Sequence, residues 1–145
     1  MRSIMSAQLQ WELIKNSSCF IVKDKKTGTS FSKEPNNLHG KNCYKYNGLV
    51  HSRVISITPG EGRKGVVLSY KKRKCQNKPS QMYARMELKS KDPRKIYKTI
   101  RKTLGNMHYR RDLIEFAVRR SSVILRKQIQ PVRRSKKSRK GKTNK

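Results

Sequence analysis

The sequence predicts an α+β fold: a small, mainly antiparallel sheet in the N-terminal half, a helical pair in the C-terminal half, and a disordered basic tail. Three observations carry this. Short apolar runs broken by Gly, Pro and Asn turns fill the chain up to about Leu88. Apolar residues then recur at helical spacing between Asp92 and Lys127. From Pro131 to Lys145 there are 8 basic residues, no acidic ones and a single aliphatic side chain, Val132. Such a segment cannot bury enough apolar surface to offset its ordering entropy. The expected organisation is an extension over residues 1–4, one α+β domain over 5–130, and a basic tail over 131–145.

The elements follow in chain order. Leu9, Trp11, Leu13 and Ile14 suit a short opening helix or a strand about equally; a helix is the expectation. Cys19-Phe20-Ile21-Val22 is a short apolar run, Lys25-Lys26-Thr27-Gly28 turns the chain, and Thr29-Ser30-Phe31 returns beside it. Leu49 to Ile57 alternates, with apolar groups on both parities, and reads as a strand. Pro59-Gly60-Glu61-Gly62 makes a hairpin turn into Gly65-Val66-Val67-Leu68-Ser69-Tyr70, the clearest strand of the chain. Met82 to Leu88 adds an edge strand.

The helical half opens at Asp92-Pro93, where Asp can cap and Pro suits the first helical position. Ile96, Ile100 and Leu104 line one face, and Gly105-Asn106 stops the helix. A second helix starts at Asp112 with Glu115 three residues on, a capping-box pattern. Leu113, Phe116, Ala117 and Ile124 form its apolar face, widened by Ile114, Val118 and Leu125. Pro131 ends it.

Charge decides the class of partner. The chain carries 38 Lys and Arg against 8 Asp and Glu, a net +30 in 145 residues. Like charge at this density destabilises a compact state, and a polyanion relieves it. The first 130 residues alone hold 30 basic and 8 acidic residues, so the body is basic as well as the tail. No run of 18 apolar residues occurs, and the N-terminus lacks the apolar stretch of a secretory signal, so a membrane partner is not expected. The three cysteines, Cys19, Cys43 and Cys75, are widely spaced and read as free thiols packed as small hydrophobes. His39 and Cys43 alone do not make a structural zinc site, which needs four ligands. The carboxylates are scattered, and no phosphate loop or nucleophile elbow occurs. No catalytic residue, metal, cofactor or small-molecule substrate is expected.

Nucleic-acid signals are denser. Lys71-Lys72-Arg73-Lys74 follows the clearest strand, with Lys78 in the polar loop beyond, and four cations at a strand end suit phosphates. Lys98, Arg101, Lys102, His108, Tyr109, Arg110 and Arg111 cluster on the first long helix and its junction with the second. Tyr109 can stack on an unpaired base or fill the core between the helices; the sequence leaves both open. Lys45 and Tyr46 repeat the aromatic-basic mix beside an Asn-Gly turn. Arg119 and Arg120 lie near the edge or on the back of the second helix, and Arg133, Arg134, Lys136 and Lys137 lead the tail. No short DNA- or RNA-module signature separates RNA from DNA.

Several segments in order carry a resemblance. Met5-Ser6-Ala7-Gln8-Leu9-Gln10-Trp11, Glu34-Pro35-Asn36-Asn37-Leu38, Tyr46-Asn47-Gly48-Leu49-Val50-His51, Gly65-Val66-Val67 with its basic run, Tyr109-Arg110-Arg111-Asp112-Leu113 and Arg119 to Arg126 are similar to the twenty-eighth large-subunit protein family of the eukaryotic ribosome. The match runs from about Met5 to Lys127. The four leading residues, Cys43 and Cys75 depart from it, and the tail matches only in being basic. The resemblance implies a non-catalytic constituent of the large (60S) subunit. Its partners would be ribosomal RNA, including eukaryotic expansion segments, and neighbouring large-subunit proteins. It would work in cytoplasmic ribosomes after nucleolar passage. A nucleolar assembly factor sharing the domain, which continues into an acidic region, is one alternative; a basic chromatin protein is another. The Lys- and Arg-rich end of this chain favours the ribosomal constituent.

Overall fold

The computed structural model describes residues 5–72, 74, 75 and 78–129. It is α+β, as the sequence predicts, with antiparallel sheets in the first half and helices in the second. The tail from 131 onward, with Arg133, Arg134, Lys136 and Lys137, lies outside the described residues, as do residues 1–4 and Arg73.

The opening segment is a helix, α1 (Ala7–Ile14), capped by the Ser6 hydroxyl, which accepts from the Leu9 N–H at 3.2 Å. It buries no residue fully. The Trp11 ring instead meets Tyr44 edge-on at 6.1 Å, and Asn42 donates to the Lys15 carbonyl at 2.8 Å. β1 (Ile21–Lys23) and β2 (Ser30–Ser32) form a separate two-stranded antiparallel hairpin across the expected turn. Cys19 and Cys43 are exposed and Cys75 is half-buried, so the first two do not pack as core hydrophobes.

The principal sheet is β3 (Ile55–Pro59), β4 (Val66–Lys71) and β5 (Tyr83–Leu88), antiparallel in that order. β3 is shorter than the alternation from Leu49 suggests. The Asn47 Oδ1 accepts from the N–H groups of Leu49 (3.0 Å) and Val50 (2.9 Å), so those residues turn and join no ladder. Pro59 ends β3 and starts no turn; it can sit there because β3 is an edge strand. The chain reverses over Gly60–Gly65, and Gly65 holds φ +73° where a side chain would run into the Leu88 carbonyl.

α2 (Pro93–Asn106) and α3 (Ile114–Gln128) pack on each other, and α3 lies on β3 and β4. Ile96, Ile100 and Leu104 meet Ile55, Ile57, Val66 and Leu68 in one core with Leu113, Ala117, Val118 and Leu125. Phe116 and Ile124 only flank it. Ser121, fully buried, returns its hydroxyl to the Val118 carbonyl at 2.7 Å.

Two helix ends differ from expectation. Gly105 and Asn106 lie inside α2, and the reversal is made by His108 and Arg110, both in the left-handed region. Asp112 and Glu115 form no capping box. Asp112 turns to Arg110, and Glu115 reaches across to Arg101 on α2. A 3-10 turn over Arg111–Leu113 leads into α3 instead.

Candidate nucleic-acid interface

The surface chemistry follows from a shortage of acids. Among the described residues five carboxylates form ion pairs: Glu12 with Lys15, Glu87 with Lys89, Asp92 with Lys95, Asp112 with Arg110 and Glu115 with Arg101. Hydrogen bonds from their arginines pull Asp112 and Glu115 below the usual carboxylate range. Glu34 is buried and meets no cation among the described residues. Most described basic residues therefore face solvent without an acidic partner, which favours phosphate binding.

The first expected cluster continues β4. Lys71 is half-buried at its end; Lys72, Lys74 and Lys78 are exposed on the loop that returns as β5. The Lys72 N–H donates to the Met82 carbonyl at 2.8 Å, tying the loop's two ends together. On α2, Lys98, Arg101 and Lys102 are exposed, with Lys95 one turn ahead of Lys98. Arg119 and Arg120 are exposed on α3, and Arg111 is exposed with its guanidinium against the His108 ring.

Two expected contact residues are instead committed to the protein. Tyr109 is only 7% exposed. Its hydroxyl accepts from the Val54 N–H at 2.9 Å and donates to the Lys71 carbonyl at 2.8 Å. Burial pushes this phenol up. With its ring in the core against Tyr70, it offers no face to a base, so the core reading holds and the stacking reading is corrected. Arg110 binds both Asp112 oxygens (3.3 and 2.8 Å) and the carbonyls of Lys45 (2.8 Å) and Arg53 (3.4 Å). It braces the α2–α3 junction against two loops and has little left for phosphate.

Lys45 and Tyr46 do join a further group, drawn from three separate segments. The Tyr46 ring meets Phe116 at 5.0 Å and His39 at 4.9 Å, and His39 meets Phe116 at 5.2 Å. The Lys45 ammonium lies 5.7 Å from both the Tyr46 and Phe116 centroids, and the Arg119 guanidinium 5.6 Å from Phe116. In the sequence His39 stands alone and Phe116 belongs to a helix's apolar stripe, so no local pattern signals their meeting.

The segments behind the resemblance also meet here. The Glu34 carboxylate accepts from Asn37 Nδ2 (3.0 Å), Asn47 Nδ2 (3.2 Å) and the Gly48 N–H (3.2 Å), locking Glu34–Leu38 to Tyr46–Gly48. Any side chain at position 48 would collide with Asn36. Among the described residues no group of three His, Cys, Asp or Glu could hold a metal, and no helix is long and apolar enough to cross a membrane.

The model of the Ribosomal L28e protein family matches residues 9–127. The large ribosomal subunit protein eL28 of Schizosaccharomyces pombe is 30% identical over 125 residues, 86% of this chain and 93% of that protein. The protein of the same name in Caenorhabditis elegans is 32% identical over 125 residues, 86% of this chain and 92% of its own length. In Dictyostelium discoideum a 67-residue stretch of eL28 is 37% identical, covering 46% of this chain and 48% of that one. The chain belongs to the Ribosomal L28e family, whose members are structural ribosomal components and not enzymes.

Proposed function

We propose that the chain is a structural constituent of the large ribosomal subunit that binds and stabilises ribosomal RNA, eukaryotic expansion segments included, and so supports cytoplasmic translation. The observation that carries this reading is a family match across nearly the whole described region, on a body whose cations mostly lack acidic partners. Phosphate contacts come from Lys71, Lys72, Arg73, Lys74 and Lys78, from Lys98, Arg101 and Lys102, and from Arg111, Arg119 and Arg120. Arg133, Arg134, Lys136 and Lys137 add contacts from the tail. The protein passes through the nucleolus during assembly and neighbours other large-subunit proteins.

Sedimentation of cell extract through a sucrose gradient tests this. The protein is expected in the large-subunit, monosome and polysome fractions. Recovery at the top of the gradient, or only in nuclease-released chromatin, overturns the reading. Recovery only with nuclear precursor particles assigns it to assembly instead.

The strand-end cluster gives a second test. Combining Lys71→Gln, Lys72→Gln, Arg73→Gln and Lys74→Gln removes phosphate-binding charge. Binding should weaken on all RNAs alike. On single-stranded RNA the slope of log K against log salt should flatten by about 0.7 for each phosphate that is no longer neutralised. An unchanged slope in a filter-binding titration would remove this loop from the interface.

A further inference from the structure

We infer that His39, held against the rings of Tyr46 and Phe116 and flanked by Lys45 and Arg119, is a preformed platform on which one unpaired RNA base stacks. The inference rests on the RNA-binding reading and assigns one site and one ligand chemistry within it.

The three rings differ in burial. Tyr46 and Phe116 are half-buried against the core, whereas His39 is exposed. Each pair of centroids is 4.9–5.2 Å apart and tilted or T-shaped, so the imidazole rests on two aromatic neighbours and keeps surface toward solvent.

The backbone beneath this ring is fixed. Asn37, 9% exposed, accepts on its Oδ1 from the N–H of His39 (3.1 Å) and of Gly40 (2.8 Å). The Asn37 amide in turn donates to Glu34 (3.0 Å) and to the Lys41 carbonyl (2.9 Å). An exposed aromatic on a loose loop would lose much of its stacking energy to ordering; here the loop is ordered in advance.

The cations complete the chemistry. Lys45 lies over the Tyr46 and Phe116 rings, and Arg119 over Phe116. Both are exposed, and their ring-facing positions put positive charge beside His39, where the phosphates on either side of a stacked base would run. A cluster that only pinned the loop to α3 would need the Tyr46–Phe116 contact but no third, exposed ring. The stacking reading uses all five side chains.

The full-length chain is titrated with a single-stranded oligoribonucleotide of about a dozen nucleotides carrying one 2-aminopurine, whose fluorescence is quenched on stacking. His39→Ala should weaken binding by about tenfold or more and relieve the quenching. Its salt slope and urea midpoint should match wild type. His39→Phe should restore both affinity and quenching, because stacking needs a flat ring and no charge. A drop in urea midpoint with unchanged affinity would make His39 a packing residue and overturn the inference. So would wild-type binding by His39→Ala, or a His39→Phe variant as weak as alanine. In those cases the RNA-binding reading stands, provided wild type binds. Wild-type protein that binds folded ribosomal RNA but not this oligonucleotide also overturns the platform. Wild-type protein that binds neither overturns the RNA-binding reading and the platform with it.

Discussion

Tyr109→Ala is expected to cost the fold about 3–5 kcal/mol, the range for removing a buried aromatic ring. That is a large share of the roughly 5–15 kcal/mol available to a small domain. The ring sits between the α2–α3 junction and the principal sheet, 5.7 Å from Tyr70. Tyr109→Phe separates the hydroxyl from the ring. It keeps the packing but leaves the buried Val54 N–H without an acceptor and the Lys71 carbonyl without its donor. That loss should cost about 1–3 kcal/mol. Urea melts would measure both. RNA affinity of the folded fraction, and its salt slope, should not move in either variant. A Tyr109→Phe midpoint equal to wild type would show that these bonds do not hold the sheet to the helices.

Tyr109 also marks the limit of what the sequence could say. Its neighbours are Arg110 and Arg111, so the local pattern equally fits a base-stacking site and a core residue. Only its partners decide, and Val54 and Lys71 lie 55 and 38 positions away. Elements set by local physics were legible: the Ile96–Ile100–Leu104 face, the β4 run and the hairpin turn before β2. Elements where a side chain overrides the local pattern were misread. Asn47 takes the N–H groups that would have extended β3, and Asp112 abandons its cap for Arg110.

The candidate interface divides in the same way. Exposed cations on the loop after β4 and on α2 were legible because a charge run is a property of the sequence itself. The His39–Tyr46–Phe116 group was not, because its rings come from loops and a helix separated by about seventy residues. The folded chain brings them together through the network around Glu34, which sets the shape of the loop that carries two of the three rings. That loop has no regular ladder over most of its length, so its conformation depends on a few side-chain bonds.

Glu34→Ala should therefore be among the most damaging single changes outside the apolar core. It leaves the Asn47 amide and the Gly48 N–H without acceptors, although Asn37 keeps the Lys41 carbonyl. The expected cost is about 2–4 kcal/mol, from two buried donors orphaned together. Glu34→Gln is subtler. Its carbonyl oxygen can still serve Asn37 and Gly48, but its new N–H₂ faces the Asn47 amide. Asn47 cannot turn over, because its own oxygen holds the N–H groups of Leu49 and Val50. Two donors then face each other at a cost of about 1–3 kcal/mol. The pH dependence has a definite sign. Burial raises the Glu34 carboxyl above its ordinary 4.5, against the opposing pull of the Gly48 and Asn37 donors. Between 4.5 and the higher folded value, the native state keeps a proton that the unfolded chain has released. This group's contribution to stability is therefore greatest at low pH and falls as pH rises through that window. Glutamine cannot titrate, so the stability gap between wild type and Glu34→Gln should narrow as pH rises from 4.5 through the raised folded value. Urea midpoints of the two proteins along that range measure the gap directly. A gap that stays constant would remove the linkage, and an alanine variant as stable as wild type would remove the network from the fold's supports.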